Sequence, residues 1–406
     1  MVATEMMRSN IAVTPSAPRA AEHKESTTAS GIRVITSDNG SPSVGLTFAV
    51  MGGSRAEGDS QAGFSHVLAS TAFNGSANKS PLAMIRDLQN AGAQFSASTD
   101  RESTRFSVAC TDDHVASVVA SVADFICNPV QADKYYYIKE NLSQANLTTT
   151  AHAADGDAQL DDLLHEAAYG ENSPLGRPNK ATSSLRAEVC DLMAFRANTY
   201  TAGNLVVTGS GISHEVLRAA VDGTFHLAEG KDAMPASAYT GGDIKVRTDL
   251  SGVSHAGIAF PVPSGAGAGS YIVLAHHLAT SGVAGVPAGA IKTFHHQYTD
   301  SGIFGFRFHG TPAETAAYAQ AAIAALKAAG SANVKGAALA SMEGANAQQA
   351  LMSSAISGVA VNAAHKASAA DVANAAKAAL ASTPAYAVYG TTSGTASYAD
   401  VKKWCK

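Results

Sequence analysis

The stretch Gly63-Phe64-Ser65-His66-Val67-Leu68-Ala69-Ser70 has the spacing of an inverted zinc motif whose reactive groups have been replaced. In His-x-x-Glu-His, two imidazoles four residues apart share one helix face and hold the metal, and the glutamate takes a proton from its water. Here the frame reads His66-x-x-Ala69-Ser70. Ala69 has nothing to accept a proton, and Ser70 offers a neutral hydroxyl where zinc takes imidazole, thiolate or carboxylate. A catalytic zinc needs three protein ligands and an open position. His66 is therefore expected to be a helix histidine held by a hydrogen bond, and no catalytic, metal-binding or cofactor-binding residue is assigned.

Other residues of the right type do not form a site by spacing. In His276-His277 and His295-His296 the side chains are adjacent, so they point in different directions and do not suit a shared metal. Gly265-Ala266-Gly267-Ala268-Gly269-Ser270 imitates a dinucleotide loop but has no acidic residue about 20 positions on, so it is expected to be a connector from strand to helix. Arg177 lies between Pro174 and Pro178, where a guanidinium can bridge loop carbonyls or a carboxylate. Tyr298 and Asp300, at a strand edge and a turn, could line a cavity.

These residues need elements to place them, and the sequence supplies two similar sets. In the first, Gly31–Ile35 and Val44–Val50 flank the turn Ser37–Ser41 and are expected to form a hairpin. The motif helix follows, then a helix over Leu82–Ala91, a hairpin through Ala93–Ser98 and Ser103–Cys110, and helices over Asp113–Ile126 and Ala132–Thr150. A capped helix near Ser183-Ser184, the strand Leu205–Gly209 and a helix from Ser213 close the set. The second set repeats the order: a strand at Asp243–Val246, one at His255–Phe260, a helix from Ser270, a helix capped by Ser368, the strand Tyr386–Gly390 and a helix from Ser397. It is about thirty residues shorter, and the shortfall is expected between Gly282 and Tyr298.

The chain has 406 residues, enough for two domains with a core each. Charged residues make up only 15% and hydrophobic ones 46%, which suits a chain with extensive protein contacts. A net charge of −5 with no basic cluster excludes a phosphate-backbone reader. Cys110, Cys127, Cys190 and Cys405 are far apart and form no Cys-x-x-Cys pair, which points to a reducing compartment. No apolar run reaches the roughly 20 residues of a membrane helix.

Gly63 before His66 and Phe73-Asn74-Gly75-Ser76 after it resemble the pitrilysin-like metallopeptidases, as do the segments Ser173–Pro178 and Asn204–His214. The resemblance covers nearly the whole chain after residue 30. It implies an α+β fold of two similar lobes, each a mostly antiparallel sheet packed with helices. The division is an N-terminal arm or import segment 1–30, a first lobe 31–225, a linker 226–240 and a second lobe 241–406. In this family a third ligand, a glutamate, follows on a later helix about seventy-five residues on. Its counterpart here is Gln144, with Glu140 close by, so His66, Ala69, Ser70 and Gln144 are vestigial positions. Active relatives also carry an Arg and a Tyr in the second lobe that hold the substrate backbone, and the matching stretch Gly282–Phe294 has no Arg.

Tyr298–Phe306 and Tyr239–Ile244 are similar to the respiratory branch of the family, the core subunits of the mitochondrial cytochrome bc1 complex. That resemblance implies a non-catalytic, matrix-facing peripheral subunit of the inner membrane, without a cofactor. Its partners would be a related core subunit, a second copy of itself, and the cytochrome b, cytochrome c1 and Rieske subunits. The alternative is the non-catalytic, presequence-binding subunit of the mitochondrial processing peptidase. That branch has a long glycine-rich loop, whereas Ser281–Gly289 is short and broken by Pro287.

Overall fold

The computed structural model describes residues 22–41, 43–129, 135–180, 189–231, 234–248, 252–283, 286–287, 289–329, 352, 354, 356–357 and 366–406. The first half contains β1 (Glu22–Thr27), β2 (Arg33–Asp38), β3 (Ser43–Val50), α1 (Phe64–Ser70), α2 (Pro81–Asn90), β4 (Gln94–Thr99), β5 (Thr104–Thr111) and α3 (Val115–Cys127). It continues with α4 (Tyr135–Ala154), α5 (Gly156–Tyr169), α6 (Val189–Thr199), β6 (Leu205–Ser210) and α7 (His214–Thr224). The second half contains β7 (Gly242–Arg247), β8 (Ser254–Val262), α8 (Ala268–Ser281), β9 (Ile291–Gln297), β10 (Gly302–Gly310), α9 (Pro312–Ala329), α10 (Ala369–Ala381), β11 (Ala385–Gly390) and α11 (Tyr398–Cys405).

The starts of several helices are written in the sequence. Ser80 caps α2 ahead of Pro81, whose missing N–H costs nothing at that position. Ser368 and Ser397 form reciprocal capping boxes with Asp371 and Asp400, each satisfying donors that a helix end leaves free. Along β5 the burial alternates residue by residue, which turns Phe106 and Val108 into the core and their neighbours outward.

The two sheets have one topology. The first runs β1-β2-β6-β3-β5-β4 and the second β7-β11-β8-β10-β9, so β2, β6, β3, β5 and β4 correspond in order to β7, β11, β8, β10 and β9. The directions match as well: β2 is parallel to β6 and β7 to β11, and the remaining pairs are antiparallel. The repeated order read from sequence is thus a repeated sheet, and the fold is the expected α+β pair of lobes. Of the shortfall, β9 is present, while no counterpart of α2 is found between α8 and β9 among the described residues.

One expectation is corrected. β2 and β3 do not form a hairpin, because β6 inserts between them and pairs with both. A central position suits β6, whose residues Leu205, Val206 and Val207 are all buried. In addition, residues 22–27 of the N-terminal arm form β1, which pairs with β2 along its whole length.

Each sheet also takes cover from the other half of the chain. The apolar face of α5, with Leu160, Leu164, Ala167 and Ala168, packs on Ala259, Ile303, Ala385 and Ala387 of the second sheet. Met352 and Ile356 pack on Ala49 and partly buried Met51 of the first. This exchange makes the junction between the lobes part of the core.

Candidate functional site

Helix α1 is set by the residues just before it. The Glu57 carboxylate accepts from Gly63 N and Ser65 N, each at 2.8 Å, and from Ser65 Oγ at 2.5 Å. It satisfies amides that would otherwise be left free at the helix start. Burial pushes the Glu57 pKa up, against these bonds, which lower it. Gly63 itself has φ of 88°, a left-handed conformation open to glycine.

From this helix His66 points at α4, where its Nε2 lies 2.7 Å from Thr148 Oγ1. Ser70 Oγ donates back to His66 O at 2.9 Å, so the hydroxyl at the second ligand position is spent within its own helix. Ala69 is buried. Gln144 lies on α4, but its side chain, like that of Glu140, is outside the described residues. The residue of α4 that reaches His66 is Thr148, one turn beyond Gln144. A neutral threonine hydroxyl is a poor zinc ligand. Among the described residues, no group of three or more His, Cys, Asp or Glu side chains could hold a metal ion.

Burial lowers the His66 pKa to about 4, helped by the positive field of Lys180 and opposed by the Ala145 backbone. The imidazole is then neutral at pH 7. Its folded pKa lies below the unfolded value of about 6.5, so the unfolded chain binds the extra proton first. Stability should fall as pH drops from about 6.5 to about 4, by at most about 3 kcal/mol from this group. Urea titrations at pH 7 and pH 5 should show a smaller acid loss for His66→Leu than for the parent chain.

The densest polar chemistry lies at the lobe junction. Arg55, in the turn Ser54–Ala56 after β3, is 1% exposed. It donates to Glu102 Oε1, to Asp300 Oδ1 at 3.0 Å, and to the linker carbonyl of Pro235 at 2.7 and 2.9 Å. Glu102 also accepts from Thr299 N and Oγ1. One guanidinium thus joins the first lobe, the linker and the second lobe. Burial acts to lower the Arg55 pKa, but Asp300 and Glu102 overcome it and raise it.

Beside it, Arg101 pairs with Asp162 at 2.6 Å and Asp161 at 3.4 Å, both on α5. Asp161 also accepts from Arg307 and lies 3.4 Å from His296 Nε2. His165 Nδ1 donates to Asp161 O at 2.7 Å, which leaves Nε2 to accept from Tyr298 Oη at 2.6 Å. Burial drives the His165 pKa well down. Burial would raise that of Asp161, but His165, His296 and the Arg307 guanidinium around it pull it well below the usual carboxylate range.

A cavity of about 320 Å³ opens here, lined by residues that include Arg101, Glu102, Asp161, His295, His296 and Tyr298. Asp161 and Glu102 are engaged by guanidinium groups, so neither serves as a base toward a substrate in this arrangement. Arg177 donates to Glu57 O and to the Asp59 carboxylate, the bridging role expected of it. Tyr298 lines the cavity, whereas Asp300 is spent on Arg55. The Gly265–Ser270 stretch connects β8 to α8 as expected, but the helix starts earlier, at Ala268, so only Gly265–Gly267 lies outside it. Arg55, Arg101, Glu102 and Asp161 carry no signal in the sequence, because their partners lie far away in the chain.

Residues 33–182 match the family described as Insulinase (Peptidase family M16). The probable mitochondrial-processing peptidase subunit alpha-2 of Arabidopsis thaliana is 28% identical over 244 residues, 59% of this chain and 48% of that protein. The alpha subunit from Solanum tuberosum is 27% identical over 59% of this chain and 47% of its own. This chain spans about half the length of these curated relatives. Cytochrome b-c1 complex subunit 2 of Cryptococcus neoformans is 28% identical over 337 residues, 75% of this chain and 74% of that protein. Among solved structures, a chain of Complex III2 from Candida albicans superposes with a TM-score of 0.75 over 94% of this chain and 99% of its own. At 16% identity that likeness shows the shared fold.

Proposed function

We propose that this chain, whose residues 33–182 match the M16 peptidase family, is the second core subunit of the mitochondrial cytochrome bc1 complex and has no catalytic role of its own. The observation that carries this reading is extent: similarity to a cytochrome b-c1 subunit 2 runs through three quarters of both chains, across both lobes. Similarity to the processing peptidases covers about half of those proteins. The positions His66, Ala69, Ser70 and Gln144 are those of a lost metal site, and the hydrogen bonds of His66 and Ser70 give both residues structural work instead.

As such a subunit the chain would face the matrix as a peripheral member of the inner membrane. Among the described residues, no helix is long and apolar enough to cross a membrane. Its partners would be a core protein 1-like subunit, a second copy of itself in the dimeric complex, and the cytochrome b, cytochrome c1 and Rieske subunits. It would carry no cofactor. Helix α9, rich in alanine on every side, suits close packing against such neighbours. The second reading, the presequence-binding subunit of the processing peptidase, is favoured by the alpha-subunit relatives. It needs a glycine-rich loop, for which the chain has only Ser281–Gly289, and residues 284, 285 and 288 of that loop lie outside the described residues.

The test is to restore the motif. Ala69→Glu with Ser70→His should give a chain that still cleaves no presequence peptide, because an amide, Gln144, stands at the third-ligand position and the second lobe has no Arg to hold the substrate backbone. Elemental analysis of the unaltered chain should find no tightly held zinc. One zinc per chain, or presequence cleavage by the unaltered chain, would overturn the reading.

A further inference from the structure

The repeated topology shows one difference between the sheets, at the edge. In the first sheet β2 is hydrogen-bonded on both sides, by β6 and by β1. Its counterpart β7 pairs with β11 alone among the described residues. The consequence for burial is large: Val34, Ile35, Thr36 and Ser37 of β2 are buried, while no residue of β7 is. A strand edge that leaves every second residue's N–H and C=O free is a template for another strand.

We propose that the outer edge of β7 receives an extended, acid-bearing segment of a partner chain. The internal repeat supplies the geometry. β1 lies antiparallel on β2 for six residues, so the incoming segment is expected to run antiparallel to β7 over a similar length. One side of β7 turns Ile244 toward the α5 cluster. The other side presents Asp243, Lys245 and Arg247, all exposed.

That second side carries more positive than negative charge, with Lys245 and Arg247 against Asp243, and Asp400 of α11 beside Lys245 and Lys403. Lys245 Nζ donates to Ala396 O at 2.8 Å, next to the start of α11, and α11 adds exposed Lys402 and Lys403. Charge complementarity then calls for carboxylates at alternate positions of the incoming segment. The first sheet already contains such a contact, since Glu25 of β1 reaches Arg33 of β2 at 2.7 Å.

The experiment places a photo-crosslinking amino acid at Asp243 or at Arg247 of the full chain in its native assembly. Both positions should crosslink to one segment of a different chain, in reversed order along it, with acidic residues at alternate positions. Amide exchange of residues 244–246 should slow by about tenfold or more on assembly. Arg247→Glu combined with Lys403→Glu should lower the crosslink yield from position 243 by about fivefold or more. Crosslinking only to β1 of a second copy, no crosslink at either position, or a yield unchanged by charge reversal would overturn the proposal.

Discussion

Arg55→Ala should destabilise the full chain by about 3–5 kcal/mol in urea unfolding, because it strands a buried carboxylate. The side chains of Arg55 and Glu102 are 1% and 3% exposed, so water does not replace the lost partner. Asp300, at 34% exposure, can rehydrate and adds less. The guanidinium also satisfies the Pro235 carbonyl with two donors, which an alanine leaves open. Two further variants separate charge from packing. Arg55→Lys keeps the charge but loses the planar fork, and should fall between the parent and Arg55→Ala. Arg55→Met with Glu102→Gln removes both charges and should be more stable than Arg55→Ala alone. If Arg55→Ala unfolds at the parent's midpoint, the joint is not what holds the lobes.

Asp161→Ala should cost about 3 kcal/mol or more at pH 7, since it leaves Arg307 without its carboxylate and weakens the hold on Arg101. The stacking of Arg307 over Phe294, at 4.6 Å, remains and does not neutralise the charge. The sign of the pH dependence follows from the depressed pKa of Asp161. A carboxylate with a folded pKa below its unfolded value of about 3.9 contributes its full stability above that pH and loses it as pH falls through the folded pKa. The gap between Asp161→Ala and the parent should therefore be widest near neutrality and narrow below about pH 4. Thermal unfolding at a series of pH values would show it, and a gap that does not change with pH would argue against the ion-pair account.

The parts legible in the sequence were those written locally. Ser368 and Ser397 announce the helices they cap, and the second set of strands and helices repeats the first closely enough to show the duplication. What could not be read depends on pairing at long range. β6 separates β2 from β3 although it lies far along the chain, so a local turn at Ser37–Ser41 imitated a hairpin. Helix α5 has an apolar face in Leu160 and Leu164 and an acidic one in Asp157 and Asp161, but the sheet it covers belongs to the other half. Arg55 and Glu102 carry no signal by spacing, because Thr299 and Asp300, which complete their network, come from the second lobe. At α1 the motif showed which ligand types were absent, while the contact of His66 with Thr148 depends on how α4 is turned.

A core subunit of a respiratory complex should travel with that complex. A two-dimensional native gel of mitochondrial membranes, probed for this chain and for cytochrome b, tests it most directly. This chain should comigrate with cytochrome b and the Rieske subunit, and depleting a core protein 1-like partner should lower its amount. A pool made up only of free monomer, or only of a complex with a zinc-bearing M16 partner and no cytochrome b, would contradict it.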